Sequence, residues 1–144
     1  MSSPSFLSKD EEKLIVDAIA SAEKTTSGEL RVHIEKDCLL DPYERAVAVF
    51  EELNMHNTTL KNGVLIYLAF DDKKFAIIGD QGIHDAVTDS FWDSVKESMK
   101  TYFAQNKFAE GIAHAVRESG EKLKMYFPWQ DSDLNELPND ISTS

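Results

Sequence analysis

The chain has 144 residues, 26 acidic against 15 basic side chains, and a formal net charge of −11. That length fits one domain with a hydrophobic core of its own. The charge argues against a nucleic-acid or anionic-membrane partner, because both demand a basic footprint. Hydrophobic residues at 42% and charged residues at 28% describe an ordinary globular composition.

The N-terminal stretch Met1–Leu14 carries no basic segment followed by an apolar one, so no signal peptide is expected. No run approaches the ~18 apolar residues of a membrane-spanning helix. A cytoplasmic protein without direct membrane insertion is the expectation. The single cysteine, Cys38, excludes an intrachain disulfide and reads as a loop or strand-end residue.

Ser8-Lys9-Asp10-Glu11 has the form of a capping box, with a serine accepting from the first turn and a glutamate three residues on. Leu14, Ile15, Ala18, Ile19 and Ala22 follow at helical spacing, which predicts a helix over about 9–25. Thr25-Thr26-Ser27-Gly28 breaks it. Residues 29–35 then alternate, with Leu30, Val32 and Ile34 on one face and Arg31, His33 and Glu35 on a polar one.

Asp41-Pro42-Tyr43-Glu44 starts a second helix, with Ala46, Val47, Phe50 and Leu53 as its inner stripe. Residues 54–62 form a polar loop. Gly63 to Phe70 is apolar without a polar face, the pattern of a central strand covered on both sides. A turn over residues 71–74 returns the chain through Phe75-Ala76-Ile77-Ile78, making a hairpin that pairs Phe70 with Phe75. The first two strands, joined through a helix, are expected to be parallel.

Helical patterns resume from Thr88 through Phe103 and from Phe108 to Tyr126, ended by Pro128. The expected organisation is a domain over 1–128 and a flexible polar tail over 129–144. The order predicts an α/β/α sandwich around a small mixed sheet of three or four strands.

The hairpin register predicted from that turn puts Asp80 opposite Leu65 and Gly82 opposite Gly63. Glu29, Asn62, Asp80, Asp85 and Asp89 then converge at one end of the sheet. Carboxylates with an amide oxygen, and no thiolates, suit a hard cation such as Ca²⁺ or Mg²⁺. Glycines 79 and 82 would let backbone carbonyls join as ligands. Weak affinity, about 10⁻⁵ to 10⁻³ M, is expected.

Simpler roles compete. Asp85 and Asp89 fit a helix first turn, and Asp80 fits an Asx residue serving its own backbone. Asp71 and Asp72, near Asp37 and Asp41, occupy the opposite end as a solvated turn or an alternative site. His84 is the one histidine inside the acidic group. There is no nucleophile elbow, phosphate-binding loop or dinucleotide fingerprint.

Gly28-Glu29-Leu30-Arg31-Val32, Lys61-Asn62-Gly63-Val64-Leu65-Ile66, Asp71-Asp72, Gly79-Asp80-Gln81-Gly82-Ile83 and Val87-Thr88-Asp89 occur in that order. Together they resemble the TPM domain, a family named for a thylakoid lumen protein, a photosystem II repair protein and a nematode receptor modulator. The similarity spans about residues 8–127, as a single-domain bacterial-like member.

The resemblance implies an α/β/α sandwich and divalent-metal binding through Glu29, Asn62, Asp80 and Asp89. It also implies a phosphatase label and roles in membrane-protein maintenance. Two functions are carried forward: a metal-binding interaction or regulatory module with a protein partner, and a metal-dependent phosphate-ester hydrolase. A purely structural domain is the third reading.

Overall fold

The computed structural model describes residues 7–129 and 141–143. Helix α1 spans Lys9–Glu23, and its capping box forms as the sequence predicts: Ser8 Oγ accepts from the Glu11 N–H while Glu11 accepts from the Ser8 N–H. Strand β1 is Glu29–Glu35, helix α2 Pro42–Glu52, strand β2 Gly63–Ala69 and strand β3 Lys74–Gly79. Helices α3 (Gln81–Ala86), α4 (Asp93–Ala104) and α5 (Phe108–Leu123) follow, with a 3₁₀ turn at Asp89–Trp92 before α4 and a short strand β4 at Ile141–Thr143.

The sheet runs β3-β2-β1-β4, with β1 parallel to both β2 and β4, and β2 antiparallel to β3. The predicted parallel pair and the hairpin are both present. The register differs by two residues. Leu68 pairs with Phe75 and Val64 with Gly79, because the turn takes residues 70–73 and Lys73 accepts a left-handed φ of 52°. The shift is even, so each side chain keeps its face.

Every residue of β2 is buried, as a strand covered on both sides must be. One face carries Val64, Ile66 and Leu68 into the larger core, where α1, α4 and α5 contribute Ile15, Ile19, Met99, Phe103, Ile112 and Val116. The other face presents Leu65, Tyr67 and Ala69 to Ala46, Val49 and Phe50 of α2. The domain is an α/β/α sandwich with unequal helical layers.

Two expectations need correction here. The sequence pattern places Val47 on the inner stripe of α2, but the buried residues are Ala46, Val49 and Phe50, and Val47 is exposed. The polar composition places Ile141–Thr143 in a flexible tail. Instead these residues extend the sheet beside Val32–Ile34, with Ile141 in the core. The rest of the expected tail, residues 130–140, lies outside the described residues.

Candidate functional site

Gly63 starts β2 and organises the end of the sheet where the acidic residues were expected. Glu29 stands beside it as its parallel partner, and the Glu29 N–H donates to the Asn62 carbonyl at 3.2 Å. The Asp80 N–H donates to the Gly63 carbonyl at 2.8 Å. Glu29, Asn62 and Asp80 therefore flank one backbone position, and all three are buried.

Their side chains have separate duties. Asn62 Nδ2 donates to the Ser27 carbonyl at 3.2 Å. Asp80 caps α3: its Oδ1 accepts from the Gln81 N–H at 2.8 Å and from His56 Nδ1 at 2.9 Å. Asp80 Oδ2 is buried and has no hydrogen-bond partner among the described residues.

Asp85 lies farther along α3, exposed, and accepts from Gln81 Nε2 at 2.6 Å. Asp89 is exposed in the 3₁₀ turn. Among the described residues, no three of His, Cys, Asp and Glu gather in a group that could hold a metal ion. Glycine serves a different purpose from the one expected. A Cβ on Gly82 would lie 2.2 Å from the Leu60 carbonyl oxygen and 2.6 Å from that of Lys61. Its bareness admits a backbone crossing, sealed by the Gly82 N–H on the Lys61 carbonyl at 2.7 Å, and no glycine has a positive φ.

A cleft of about 300 Å³ opens over Asp80. Its apolar lining comes from Tyr43, Val47 and Phe50 of α2 and from Ile78 of β3. Its polar lining comes from Glu51, His56, Asp80, Gln81 and His84. Among the described residues, no lysine or arginine lines it. The Asp80 side chain is only 4% exposed, whereas that of His56 is 57% exposed. His56 stands edge-on to Phe50, with centroids 4.7 Å apart. An adjoining cleft of about 110 Å³ contains Asp89 and Lys96 and shares Tyr43, Ile78, Gly79 and His84.

At the other end of the sheet, Asp72 serves the backbone. Its Oδ2 accepts from the Cys38 N–H at 2.8 Å. Cys38 is buried, with Sγ donating to the Leu40 carbonyl at 3.0 Å.

The polar face expected for β1 is largely covered, and His33 and Glu35 on it are paired within the protein. Glu35 Oε1 accepts from His33 Nε2 at 3.0 Å and Arg45 Nη2 at 2.9 Å. Its Oε2 accepts from Arg45 Nε at 2.9 Å and from the Tyr67 hydroxyl. His33 Nδ1 pairs with Ser142 Oγ at 3.0 Å, and its ring stacks on Tyr67.

Burial pushes the His33 imidazole below its ordinary range, against the opposing pull of Glu35. The neutral ring then donates from Nε2 to Glu35 and accepts at Nδ1 from Ser142. The Glu35 hydrogen bonds hold Arg45 charged, and burial followed by the Glu35 contact raises the Tyr67 phenol.

Sequence reasoning overlooked both His56 and this network. His56 sits in a loop without periodicity, so no spacing links it to Asp80 twenty-four residues later. The network had one readable signal: His33 and Glu35 alternate on one strand face, and a central strand has no solvated face.

These features define a small α/β/α domain with an acidic cleft between α2 and an edge strand. The chain belongs to the TPM domain family, whose pattern matches residues 2–122. It is 50% identical to the BA42 protein of the psychrophilic bacterium Bizionia argentinensis, whose NMR structure superposes with a TM-score of 0.92 over 100% of both chains.

Two more distant solution structures share the fold. An N-terminal domain from P. gingivalis is 15% identical, with a TM-score of 0.69 over 85% of this chain and 80% of that one. The N-terminal domain of the cg2496 protein of Corynebacterium glutamicum is 14% identical, with a TM-score of 0.64 over 98% and 90%. No curated protein matches the chain. No helix among the described residues is long and apolar enough to cross a membrane.

Proposed function

We propose that this TPM domain is a cation-responsive binding module centred on the Asp80 cleft. The observation that carries the reading is the Asp80 carboxylate: deeply buried, with one oxygen lacking a partner among the described residues, which also bring no lysine or arginine to the cleft. A half-satisfied buried carboxylate favours a cation that completes its shell.

The donor set suits one kind of divalent ion better than another. Ca²⁺ wants about six to eight oxygens, and no group of three acidic or histidine ligands is available to it among the described residues. Mg²⁺ keeps several waters and binds through one or two carboxylates. Asp80 would hold such a hydrated ion, with Glu29 and Asn62 stabilising the neighbouring backbone and Asp85 and Asp89 adding field from the surface. Binding would be weak, on the order of 10⁻³ M.

The alternative, phosphate-ester hydrolysis, needs positive charge around the phosphoryl group beyond one ion. Lys61 is the nearest candidate by sequence, and its Nζ donates to the His56 carbonyl at 2.6 Å. The acidic, arginine-free lining therefore favours binding over turnover.

The test is an amide NMR titration of the metal-free chain with Mg²⁺ and separately with Ca²⁺. Saturable shifts at Asn62 and Gly79–His84, lost in Glu29→Gln/Asp80→Asn, are expected. Shifts confined to Asp71–Lys74, or unchanged titration of the double variant, would count against the assignment.

A further inference from the structure

We infer that the Asp80 cleft receives a lysine side chain presented by a partner protein. The inference rests on the binding-module reading above and names the partner's chemistry. Tyr43, Val47 and Glu51 follow one another at four-residue steps, so they form a single row along α2. That row is about 12 Å long at helical rise. With Ile78 opposite on β3, it makes an apolar channel ending at Glu51, His56 and Asp80.

An occupant matched to this channel has an aliphatic stem and a cationic tip. The stem lies against Val47 and Ile78, as long basic side chains lie on apolar surface. Tyr43 and Phe50 add aromatic rings to the lining, a residue type that favours a nearby cation. The tip meets Asp80, whose oxygens set the choice between the two basic residues.

Arginine is best recognised through two parallel bonds to both carboxylate oxygens. Here Oδ1 is already taken by the Gln81 N–H and by His56, leaving Oδ2 as the oxygen without a partner among the described residues. A single free acceptor suits an ammonium, which binds as a point charge. His56, largely exposed, is the group that must swing to admit it.

A protein rather than a free amine is the source. Tyr43 and Val47 are exposed beside the channel, and Leu39, 97% exposed, and Leu40, also exposed, stand just before α2 in the chain. A small amine would leave that strip in water, whereas a partner segment covers it. The net charge of −11 complements a basic partner.

The experiment titrates the full chain, metal-free, with N-acetyl-lysine methylamide, its norleucine counterpart and its arginine counterpart, read by amide NMR. Saturable shifts at Val47, Phe50 and Ile78–His84 are expected with the lysine probe, with Kd on the order of 1 mM for so small a ligand. The norleucine probe should bind about tenfold or more weakly, for want of the charged hydrogen bond. The arginine probe should bind no better than lysine.

Asp80→Asn keeps a helix-capping residue and should abolish the preference for lysine over norleucine. Val47→Arg, an exposed substitution on α2, should block the channel and remove the shifts. Equal binding of lysine and norleucine, an undiminished response in Asp80→Asn, or no saturable shift would overturn the inference. Mg²⁺ shifts at Asp80 with a silent lysine probe would leave the metal reading standing and remove this one. Lysine shifts with silent Mg²⁺ would do the reverse.

Discussion

Replacing Arg45 with methionine tests the buried network most directly. The guanidinium supplies two hydrogen bonds to Glu35, one on each oxygen, both at 2.9 Å. Methionine keeps much of the aliphatic stem and deletes the charge. Glu35, with a side chain 8% exposed, would keep His33 and Tyr67 but lose its cation.

Breaking a buried pair by removing one partner costs roughly 3–5 kcal/mol. Arg45 is itself 23% exposed, so water can partly replace it, and the lower end, about 3 kcal/mol, is expected. For a chain of this size that corresponds to a fall in Tm of roughly 6–12 °C.

Urea unfolding of the wild type, Arg45→Met, Glu35→Gln and the double variant closes the cycle. Glu35→Gln should cost less than Arg45→Met, because the stranded Arg45 can still reach solvent. The double variant should be more stable than the sum of its parts by at least about 1 kcal/mol. A cost for Arg45→Met below about 1 kcal/mol, with additive single effects, would refute the idea that this pair is desolvated.

His33 folds with its pKa lowered by burial, so the unfolded chain takes up the proton first. Stability should fall as pH drops below about 6.5, and His33→Gln should flatten that slope when urea midpoints are compared from pH 7.5 to 5.5; an unchanged slope would assign it to other groups. Gly82→Ala forces a methyl group onto the Leu60 and Lys61 carbonyls and should cost about 2 kcal/mol, measured in the same way. Ile141→Ala empties a core position on β4 and should cost about 2 kcal/mol or more, whereas a residue in a free tail would cost nothing. Ser8→Ala removes half of the capping box and should cost about 1 kcal/mol, with the loss of helicity seen by circular dichroism.

The elements legible in the sequence are those in which local chemistry and burial agree. Ser8 and Glu11 announce the start of α1, Asp41 and Pro42 that of α2, and the unbroken apolar run at 63–69 marks the central strand. The errors have equally local causes. A four-residue turn could start at 70 or 71, and only the left-handed backbone of Lys73 decides it. Ile141 is a lone apolar residue among polar ones, so nothing in its neighbourhood signals a strand. Its pairing with Val32 is a contact across more than a hundred residues.

The acidic end of the sheet was legible as a place and not as a mechanism. Parallel pairing correctly brings Glu29, Asn62 and Asp80 around Gly63, since strand order and register are enough for that. Where a carboxylate points is settled by its nearest donors, and these come from a loop histidine and a backbone amide. Of the roles expected of Asp80, the local backbone one is present in the structure. One oxygen serves the turn, as an Asx residue would, and the other is buried without a hydrogen-bond partner among the described residues.

Helix α2 carries the consequence. Arg45 anchors it to β1 through Glu35, while Ala46, Val49 and Phe50 pack it on β2 and β3. The same helix turns Tyr43, Val47 and Glu51 outward toward the edge strand. Helix α2 lies over one face of that strand, and beside it runs a channel lined by Asp80. The buried ion pair and the cleft are thus two products of one helix placement. A variant that loosens Arg45 should widen the cleft before it unfolds the sheet. Proteolysis or amide exchange confined to α2 in Arg45→Met would show that order, whereas uniform exchange across β1, β2 and α2 would show a single cooperative unit.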